Sequence, residues 1–407
     1  MTMTITMTMT YDPWMMRAGG ALGLLLAGCT GGPEGGPGGP SADFELASEA
    51  DVTLVPVVHS IPLGLWFTPM ALDIGDFDGD DATDLLVAGV EPGVGVTAAI
   101  YLGDGEGDFA PPQETGFTAC SAFPVTGDID GDGRTDVVAL GCSSNLAVFT
   151  GQPDGTLAPW AVWPDAEYTP VSSSIIADFE GDGDSDLMTL RIPDSAYVDV
   201  ALGNGGNGIW KVETTEIGDP TWSGFDPGGM AMGHFDGDRM LDAVLIEREH
   251  DLVSLMAVPP AGFAFPTELG VDIPPWSNRV ADLDDDGFDD LVISSYTSPS
   301  VQVLVASGIG DFIPGEPYEL AGFAPYDTAL GDIDGDGQID VAMVDDAVPQ
   351  LRWFRGSGDG RLDDLETVAL PAAAIRIHAA RIDDDDIDDL VTATFDDDSI
   401  TLVLSNG

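Results

Sequence analysis

The chain has 407 residues, and its 12 lysines and arginines stand against 72 aspartates and glutamates, which gives a formal charge of −60. A surface this acidic repels phosphate groups and argues against nucleic acid or bare anionic membrane as partners. The hydrophobic fraction of 44% argues against a disordered chain, and the 52 glycines and 29 prolines favour short strands joined by turns over helices.

The N-terminal region has the pattern of a secreted, anchored protein. Residues 1–14 show no core-forming pattern, so we expect translation to start at Met15 or Met16. An apolar run then ends in Leu26-Ala27-Gly28-Cys29, which resembles a bacterial lipoprotein signal peptide over residues 1–28. The resemblance implies that Cys29 is lipidated and holds the protein in the bacterial cell envelope, at the outer membrane or cell surface. An ordinary secretory leader with a chance cysteine is the alternative.

Residues 29–50 follow as a linker. Between residues 30 and 43 the sequence is TGGPEGGPGGPSAD, in which glycine gives flexibility and proline gives extension. Such a segment has nothing to bury, so it predicts a tether between the anchor and a folded domain at residues 51–407. Membrane contact is expected only through the lipid.

The most informative stretch of the domain runs from Asp128 to Asp136, DIDGDGRTD. Aspartates stand at its positions 1, 3, 5 and 9 and glycines at positions 4 and 6, and an apolar run follows at once. The stretch recurs at intervals of about 50 residues, which is the period of a repeat architecture. We number the seven copies as the first to seventh loops, and their first positions are Asp76, Asp128, Asp178, His234, Asp282, Asp332 and Arg381.

Each repeat carries several short apolar runs bounded by Gly, Pro and Asp. Runs of three or four residues are sized for strands, and about four of them per repeat is the content of one propeller blade. The sequence therefore predicts an all-β, seven-bladed β-propeller of four-stranded blades. The last repeat ends one strand short, and Val52–Val58 supplies a candidate strand. We expect this N-terminal strand to complete the last blade and close the ring, which removes an open sheet edge.

The loop pattern resembles the FG-GAP/VCBS repeat of integrin alpha-chain-like propellers, over nearly all of residues 51–407. The resemblance implies that each complete loop holds Ca²⁺ between the two inner strands of a blade. An EF-hand shares the first residues of this pattern but needs a glutamate at position 12. Here that position holds apolar residues or threonine of the next strand, such as Val87 and Thr189, so the EF-hand interpretation fails.

Five loops are complete, so about five structural Ca²⁺ ions are expected. Four carboxylates in one loop repel one another strongly without a cation, which argues against simple solvated turns. The ligands that the resemblance implies are Asp76, Asp78, Asp80, the Ala82 carbonyl and Asp84; Asp128, Asp130, Asp132, the Arg134 carbonyl and Asp136; Asp178, Glu180, Asp182 and Asp186; Asp282, Asp284, Asp286 and Asp290; and Asp332, Asp334, Asp336 and Asp340.

The fourth and seventh loops depart from the pattern. The fourth has His234 at position 1 and Arg239 at a glycine position, and the seventh has Arg381 at position 1. A guanidinium group can neutralise the remaining carboxylates. We therefore expect an internal ion pair in place of a metal ion in these two loops, with metal binding as the alternative.

Two cysteines, Cys120 and Cys142, flank the second loop. A hairpin that turns around this loop brings them nearly opposite each other, and the envelope is an oxidising compartment. A disulfide between them is predicted, with two buried free thiols as the alternative.

Aromatic residues precede several of the loops, beside prolines that mark the turn into the inner strand. We expect these aromatic residues to lie at the end of the propeller opposite the loops. The integrin-like resemblance implies recognition on that face, whereas packing between neighbouring blades is the competing interpretation. The candidate ligand patch consists of Trp66, Trp222, Trp276 and Tyr326.

We find no catalytic motif for nucleophilic, zinc or phosphate chemistry, and the four histidines are scattered. The leading hypothesis is a monomeric, calcium-stabilised and surface-tethered propeller that binds a protein or glycan and is not an enzyme. A hydrolase or lyase that acts on envelope or extracellular polysaccharide is the alternative. Buried carboxylates with strongly shifted pKa values outside the loops favour that alternative. A purely structural envelope protein is a third reading, favoured if the aromatic face is buried.

Overall fold

A computed structural model describes residues 57–62, 68–91, 95–115, 124–140, 146–163, 171–179, 181–191, 197–203, 211–216, 227–238, 240–247, 252–256, 267–394 and 399–405. Every helix or strand assigned within these residues is a β-strand. Within the same residues, no helix has the length and apolarity needed to cross a membrane. The predicted leader and tether, residues 1–50, lie outside the described residues.

The first described strand is β1 (Val57–Pro62). The first sheet holds β2 (Thr68–Gly75), β3 (Asp84–Glu91), β4 (Gly95–Tyr101) and β5 (Gln113–Glu114). The second holds β6 (Val125–Gly127), β7 (Asp136–Leu140), β8 (Leu146–Gly151) and β9 (Leu157–Trp163). The third holds β10 (Val171–Ala177), β11 (Asp186–Arg191), β12 (Tyr197–Leu202) and β13 (Lys211–Glu216).

The fourth sheet holds β14 (Pro227–Gly233), β15 (Asp242–Glu247), β16 (Leu252–Met256) and β17 (Thr267–Gly270). The fifth holds β18 (Ser277–Ala281), β19 (Asp290–Ser295), β20 (Ser300–Ala306), β21 (Phe312–Pro314) and β22 (Tyr318–Glu319). The sixth holds β23 (Asp327–Gly331), β24 (Asp340–Val344), β25 (Gln350–Gly356) and β26 (Leu362–Ala369). The last holds β27 (Arg376–Ala380), β28 (Asp389–Thr394) and β29 (Ser399–Leu404), with β1 at its edge.

The sheets are antiparallel and pack face to face in chain order, so the all-β propeller predicted from the sequence is confirmed. The inner strand of each sheet contacts the inner strand of the next, and β27 contacts β2. Apolar clusters fill the spaces between sheets: Leu86 and Ile100 of the first sheet pack with Val137 of the second. Another cluster joins Leu85 of the first sheet to Val391 of the last.

The second strand of each sheet is the most deeply buried. All six residues of β19 and all six of β28 are buried, whereas β26, at an outer edge, alternates between exposed and covered residues. A strand with a packed sheet on each side buries both of its faces. This explains why the sequence shows continuous apolar runs after the loops in place of an alternating pattern.

Two details of the strands differ from the sequence prediction. The N-terminal strand that pairs with β29 is β1, with Val57 opposite Leu404 and Pro62 opposite Ser399. It overlaps the predicted Val52–Val58 only at its last two residues, and residues 51–56 lie outside the described residues. In the fifth sheet the outer strand is split into β21 and β22, which both pair with β20. Pro317 lies in the break and has no N–H to donate to a ladder.

The loops are linked to one another around one end of the sheets. The eighth residue of a loop bonds the first residue of the preceding loop: Thr135 N–H donates to the Asp76 carbonyl at 2.6 Å and Asp388 N–H to the Asp332 carbonyl at 2.9 Å. Thr83 donates its hydroxyl to the Arg381 carbonyl at 2.9 Å, which links the first loop to the seventh. These bonds join the first loop to the second, the sixth to the seventh and the seventh to the first.

Candidate functional site

Each loop joins the first strand of a sheet to the second, and the first six loops turn on residues with left-handed backbone. Gly131 and Gly133, at positions 4 and 6 of the second loop, have φ of 76° and 87°. Asp81 replaces the second of these glycines in the first loop and adopts φ of 69°, a conformation that aspartate tolerates better than most residues. These turns fold the chain back so that alternate carboxylates point inward.

The first aspartate of a complete loop organises the turn. In the second loop Asp128 accepts backbone N–H groups from Gly131, Asp132 and Gly133, at 2.8, 3.1 and 2.9 Å. Asp76 and Asp178 accept the equivalent three N–H groups in the first and third loops. The loop shape is therefore encoded locally, by an aspartate and the glycines that follow it.

The ninth aspartate is fully buried and pins the loop to two strands. One carboxylate oxygen of Asp136 accepts the N–H of Ile129 at 3.0 Å, and the other accepts the N–H of Gly151 at 2.9 Å. The same pair of bonds is made by Asp84, Asp186, Asp290, Asp340 and Asp389. Burial raises the pKa of Asp136 and Asp340 to about 7, and that of Asp84, Asp290 and Asp389 to about 6.

Some loop aspartates are incompletely bonded: the third aspartate in the first and second loops, and the first aspartate, Asp332, in the sixth. Asp78 and Asp130 each have a buried Oδ1 atom that makes no hydrogen bond with the described residues. Burial, followed by repulsion from neighbouring loop carboxylates, raises the pKa of both groups. A buried carboxylate oxygen with no donor nearby needs a cation or a proton. The donor set therefore fits a bound metal ion.

Four loops bring three carboxylates close enough to share one ion. In each, one oxygen per residue lies within 4.8 Å of the others. The first, second and fifth loops contribute positions 1, 3 and 9, and the sixth contributes positions 1, 3 and 5. These clusters are Asp76, Asp78 and Asp84; Asp128, Asp130 and Asp136; Asp282, Asp284 and Asp290; and Asp332, Asp334 and Asp336.

Some predicted ligands form ion pairs with arginines, and one lies outside the described residues. Asp132 forms an ion pair with the Arg134 side chain, whose Nε also donates to the Gly151 carbonyl at 3.0 Å. In the sixth loop Arg355 pairs with Asp334 at 2.8 Å. Glu180 of the third loop lies outside the described residues. Metal coordination by the carbonyls of Ala82 and Arg134 stays a prediction.

The seventh loop uses its arginine differently from the expectation. The Arg381 guanidinium lies 3.4 Å from Asp386 and 4.0 Å from Asp388, which stand at loop positions 6 and 8, outside the predicted ligand positions. Asp389 nevertheless makes its two backbone bonds, to Ile382 and Ser405. The ninth aspartate therefore has a structural role that does not depend on an acidic first position. In the fourth loop the exposed His234 contacts the Met240 carbonyl through Nδ1 at 3.0 Å.

Several predicted residues cannot be placed. Cys29, Cys120, Cys142, Trp66, Trp222 and Arg239 lie outside the described residues. The predicted lipidation and disulfide, and half of the predicted aromatic patch, therefore stay predictions.

The described half of the aromatic patch lies at the end opposite the loops. Trp276 and Tyr326 precede the inner strands β18 and β23, and a third ring, Tyr296, joins them with centroid distances of 5.2 to 5.8 Å. The Trp276 indole N–H donates to the Tyr326 carbonyl at 3.0 Å. All three side chains are half-buried. They therefore pack between neighbouring sheets and also present ring surface to solvent.

Trp276 and Tyr326 also line a cavity of about 340 Å³ at the mouth of the central channel. Its other walls come from inner strands of the first, third, fourth, fifth, sixth and last sheets. The polar members are Asp73, Ser173, Ser277, Asn278, Arg279, Asp327, Arg376 and His378. We call this space the mouth cavity.

A polar network ties the mouth cavity together. Arg279 pairs with Asp327 at 2.6 Å, and Asp327 also accepts the N–H groups of Thr328 at 3.0 Å and Ile377 at 3.3 Å. His378 contacts the Leu72 carbonyl through Nε2 at 2.9 Å. Three inner strands, β18, β23 and β27, thus meet at Asp327.

Sequence reasoning missed the polar residues of the mouth cavity, although a signal was present. Ser173, Gly229, Ser277, Asp327 and Arg376 each lie five residues before the first position of their loop. Equivalent positions of successive inner strands face the same channel. An alignment of the repeats on the first position of each loop would have placed these residues in one column, whereas no local motif marks them.

Three segments of the chain match the FG-GAP-like repeat, at residues 76–139, 128–189 and 282–343. The chain carries FG-GAP-like repeats, which confirms the resemblance seen in the loops. No curated protein matches the chain in sequence.

Solved structures with a similar fold differ in what they do. An Agrocybe aegerita lectin that recognises non-reducing terminal N-acetylglucosamine has a TM-score of 0.57 and 18% identity, over 76% of this chain and 82% of the lectin. The periplasmic gluconolactonase of Pseudomonas aeruginosa has a TM-score of 0.51 and 18% identity, over 74% of this chain and 85% of the gluconolactonase. An exotype rhamnogalacturonan lyase has a TM-score of 0.51 and 13% identity, over 83% of this chain and 72% of the lyase. At these identities the similarity shows the fold alone.

Proposed function

We propose that this protein is a calcium-stabilised β-propeller that binds a glycan or protein ligand at the end opposite its loops. The observation that carries the proposal is the different chemistry of the two ends of the propeller. One end holds the acidic loops, and the other holds half-buried aromatic rings beside the polar mouth cavity. Concave sites that combine aromatic walls with a few directed polar groups are typical of ligand recognition.

Calcium is the metal that the loop chemistry favours. Every side chain in the four clusters is an aspartate, and hard carboxylate oxygens from a flexible loop suit Ca²⁺ better than Zn²⁺ or the more demanding Mg²⁺. We propose about five structural ions, one per complete loop. Their charge offsets the repulsion within each loop and stabilises the first hairpin of each sheet.

Chelation tests the metal. The melting temperature of the purified protein should fall in EDTA and recover with calcium, because an ion that binds only the folded state stabilises it by mass action. Magnesium at the same concentration should restore less. A midpoint that is the same in EDTA and in calcium would contradict the metal proposal.

We propose that the seven sheets are seven blades of one ring, with β1 closing the last blade. The pairing of β1 with β29 and the apolar cluster shared by the first and last sheets support this arrangement. Ring closure holds the inner strands at fixed positions around the channel. It would thereby keep the mouth cavity in shape without a ligand.

We further propose that Cys29 carries a lipid and anchors a monomer in the bacterial envelope through the Gly/Pro-rich tether. Mass spectrometry of the mature protein tests this, since diacylglycerol on Cys29 adds a defined mass. The Cys29→Ala variant should move from the detergent fraction to the soluble fraction. A wild-type protein that is already soluble would contradict the anchor.

A glycan array and a pull-down from envelope extracts test the binding function, each with calcium and with EDTA. Binding is expected with calcium and should weaken when chelation loosens the loops. Loss of binding in Trp276→Ala, with an unchanged melting curve, would place the ligand at the mouth cavity.

A polysaccharide hydrolase or lyase is the second candidate, because Asp73, Asp327 and His378 share the mouth cavity. Among the described carboxylates, those whose pKa is raised all lie in the loops, and this favours binding over catalysis. Incubation with polysaccharides that bind on the array distinguishes the two functions. New reducing ends or unsaturated products would support the enzyme.

A further inference from the structure

We infer that the mouth cavity binds a sugar ring that carries a carboxylate, such as a hexuronate residue of an acidic polysaccharide. The inference rests on the proposed binding function and names its site and ligand class. It is built on a buried donor without a partner, two arginines and an aromatic wall, all in one cavity.

The buried donor is the side-chain amide of Asn278 on β18. The residue is 4% exposed and lines the cavity, and its Nδ2 makes no hydrogen bond with the described residues. A buried amide donor is normally satisfied, and one left open at a cavity wall points to an acceptor that arrives with a ligand. Sugar hydroxyl and carboxylate oxygens are such acceptors.

The charge of the cavity is unlike that of the rest of the chain. The whole sequence has six acidic residues for every basic one, 72 against 12, yet Arg279 and Arg376 both line this small space, opposite Asp73 and Asp327. The Arg279–Asp327 pair at 2.6 Å fixes one guanidinium in place. The two arginines balance the two aspartates, so the cavity is neutral where the surrounding surface is acidic. Guanidinium groups bind carboxylates through charge-assisted hydrogen bonds, so this is a place in the molecule that can accept an anionic sugar.

The aromatic wall suits the ring of such a sugar. Trp276 is held by its indole bond to the Tyr326 carbonyl and by contact with Tyr296. Ordering of the rings before the ligand arrives lowers the entropic cost of binding. The C–H face of a pyranose can pack on these rings while its hydroxyl and carboxylate groups reach Asn278 and the arginines.

The volume limits what fits. At about 340 Å³ the cavity lies near the lower end of the range of small-molecule sites. One or two sugar rings can be accommodated, so we expect a terminal residue or a short segment of a chain to enter the cavity. Longer chains would extend over the aromatic surface.

The test compares sugars that differ only in the carboxylate. Calcium-loaded, full-length protein is titrated by calorimetry with glucuronate and galacturonate, and with glucose and galactose as their neutral counterparts. We expect the uronates to bind about tenfold more tightly, a difference equivalent to one charge-assisted contact. Arg376→Gln should reduce this preference, and raising the salt concentration should weaken binding of the uronates more than that of the neutral sugars.

Asn278→Asp is the second variant, since it keeps the side-chain shape but replaces the donor with a repelling acceptor. It should lose most of the uronate affinity. Arg361→Gln is the matched control, because it also removes one arginine but from an exposed turn at the loop end, where the side chain is 76% accessible. It should bind like the wild type.

The outcomes separate this inference from the proposed function. Equal affinity for glucose and glucuronate, or unchanged uronate binding by a folded Asn278→Asp variant, would overturn the acidic-sugar site. If array or pull-down ligands bind the wild type and Asn278→Asp equally well, this site is wrong and the binding function stands. If no ligand binds in any of these experiments, both are wrong.

Discussion

At the scale of single residues, the loop aspartates divide into two kinds. Those at positions 1 and 9 are engaged by backbone N–H groups, as Asp128 and Asp136 show. At position 3, Asp78 and Asp130 keep a buried oxygen without a hydrogen bond among the described residues, and so does Asp332 at position 1 of the sixth loop. The oxygens bonded to the backbone shape the loop, and the unbonded oxygens are the contacts that we propose for an ion. One repeated motif therefore encodes both a scaffold and a site.

Replacement of the ninth aspartate should destabilise the fold even without metal. Asp136→Ala leaves the buried N–H groups of Ile129 and Gly151 without acceptors, and each such loss costs about 1–3 kcal/mol. We expect the unfolding free energy in EDTA to fall by about 2–5 kcal/mol, measured by urea denaturation. Asp363→Ala, at an exposed position of β26, is the control and should change little. A wild-type midpoint for Asp136→Ala would contradict the structural role.

The pH dependence of stability should reverse sign with calcium. Burial raises the pKa of Asp136 to about 7, well above the usual aspartate pKa of about 4, so the folded, metal-free state binds more protons than the unfolded state between these values. Metal-free stability should therefore fall as the pH rises from about 4 to about 7. Calcium needs ionised ligands, so the stabilisation it adds should grow over the same range. Melting curves in EDTA and in calcium across this range measure both slopes, and parallel slopes would contradict the prediction.

At the scale of elements, each sheet is joined to its loop by a close backbone contact. Gly103 lies just after β4, and its N–H donates to the Asp84 carboxylate at 2.8 Å. A Cβ atom at Gly103 would clash with the Thr83 carbonyl oxygen. Gly203 and Gly356 make the same approach to Ser185 and Ile339 in other sheets. Glycine at these three positions is therefore a packing requirement.

A methyl group at this contact should be costly. Gly103→Ala is expected to lower the unfolding free energy by about 1–3 kcal/mol, because the strand end must move away from the loop. Gly270→Ala is the matched control, since nothing lies within 4 Å of a Cβ atom at that position. Equal denaturation midpoints for the two variants would show that the contact can relax.

At the scale of the whole molecule, the ring depends on contacts between residues far apart in sequence. β1 pairs with β29, and the apolar cluster of Leu85 and Val391 joins the first sheet to the last. In the ring that we propose, these contacts join the last sheet to the first. The acidic loops gather at one end, so the ions that we propose would offset charge repulsion at that end.

Removal of β1 tests the closure that we propose. Deletion of residues 51–62 should expose the edge of β29, and an open edge invites pairing with another chain. We expect a lower melting temperature together with dimers or larger species in light scattering. Deletion of residues 30–43, in the predicted tether, is the control and should leave a monomer with an unchanged melting curve. A monomeric, equally stable β1 deletion would contradict closure by this strand.

The loops, the strand-sized runs and the propeller class could be read from the sequence, because each depends on local spacing. Aspartate at position 1 and left-handed residues at positions 4 and 6 fold a turn wherever they occur, and Asp81 obeys the same rule as Gly133. Sequence alone did not place Arg381, whose guanidinium contacts Asp386 and Asp388 in place of the inner carboxylates. The direction of a long side chain depends on its neighbours in space.

The mouth cavity was decided only by the tertiary structure. Asn278, Arg279 and Arg376 carry no motif, and they meet because the packing of successive sheets brings inner strands from different repeats to one cavity. A local pattern specifies a turn, but a site assembled from several repeats exists only after every inner strand is packed in its place. The sequence by itself thus determined the scaffold, and the packing of the sheets determined where a ligand can bind.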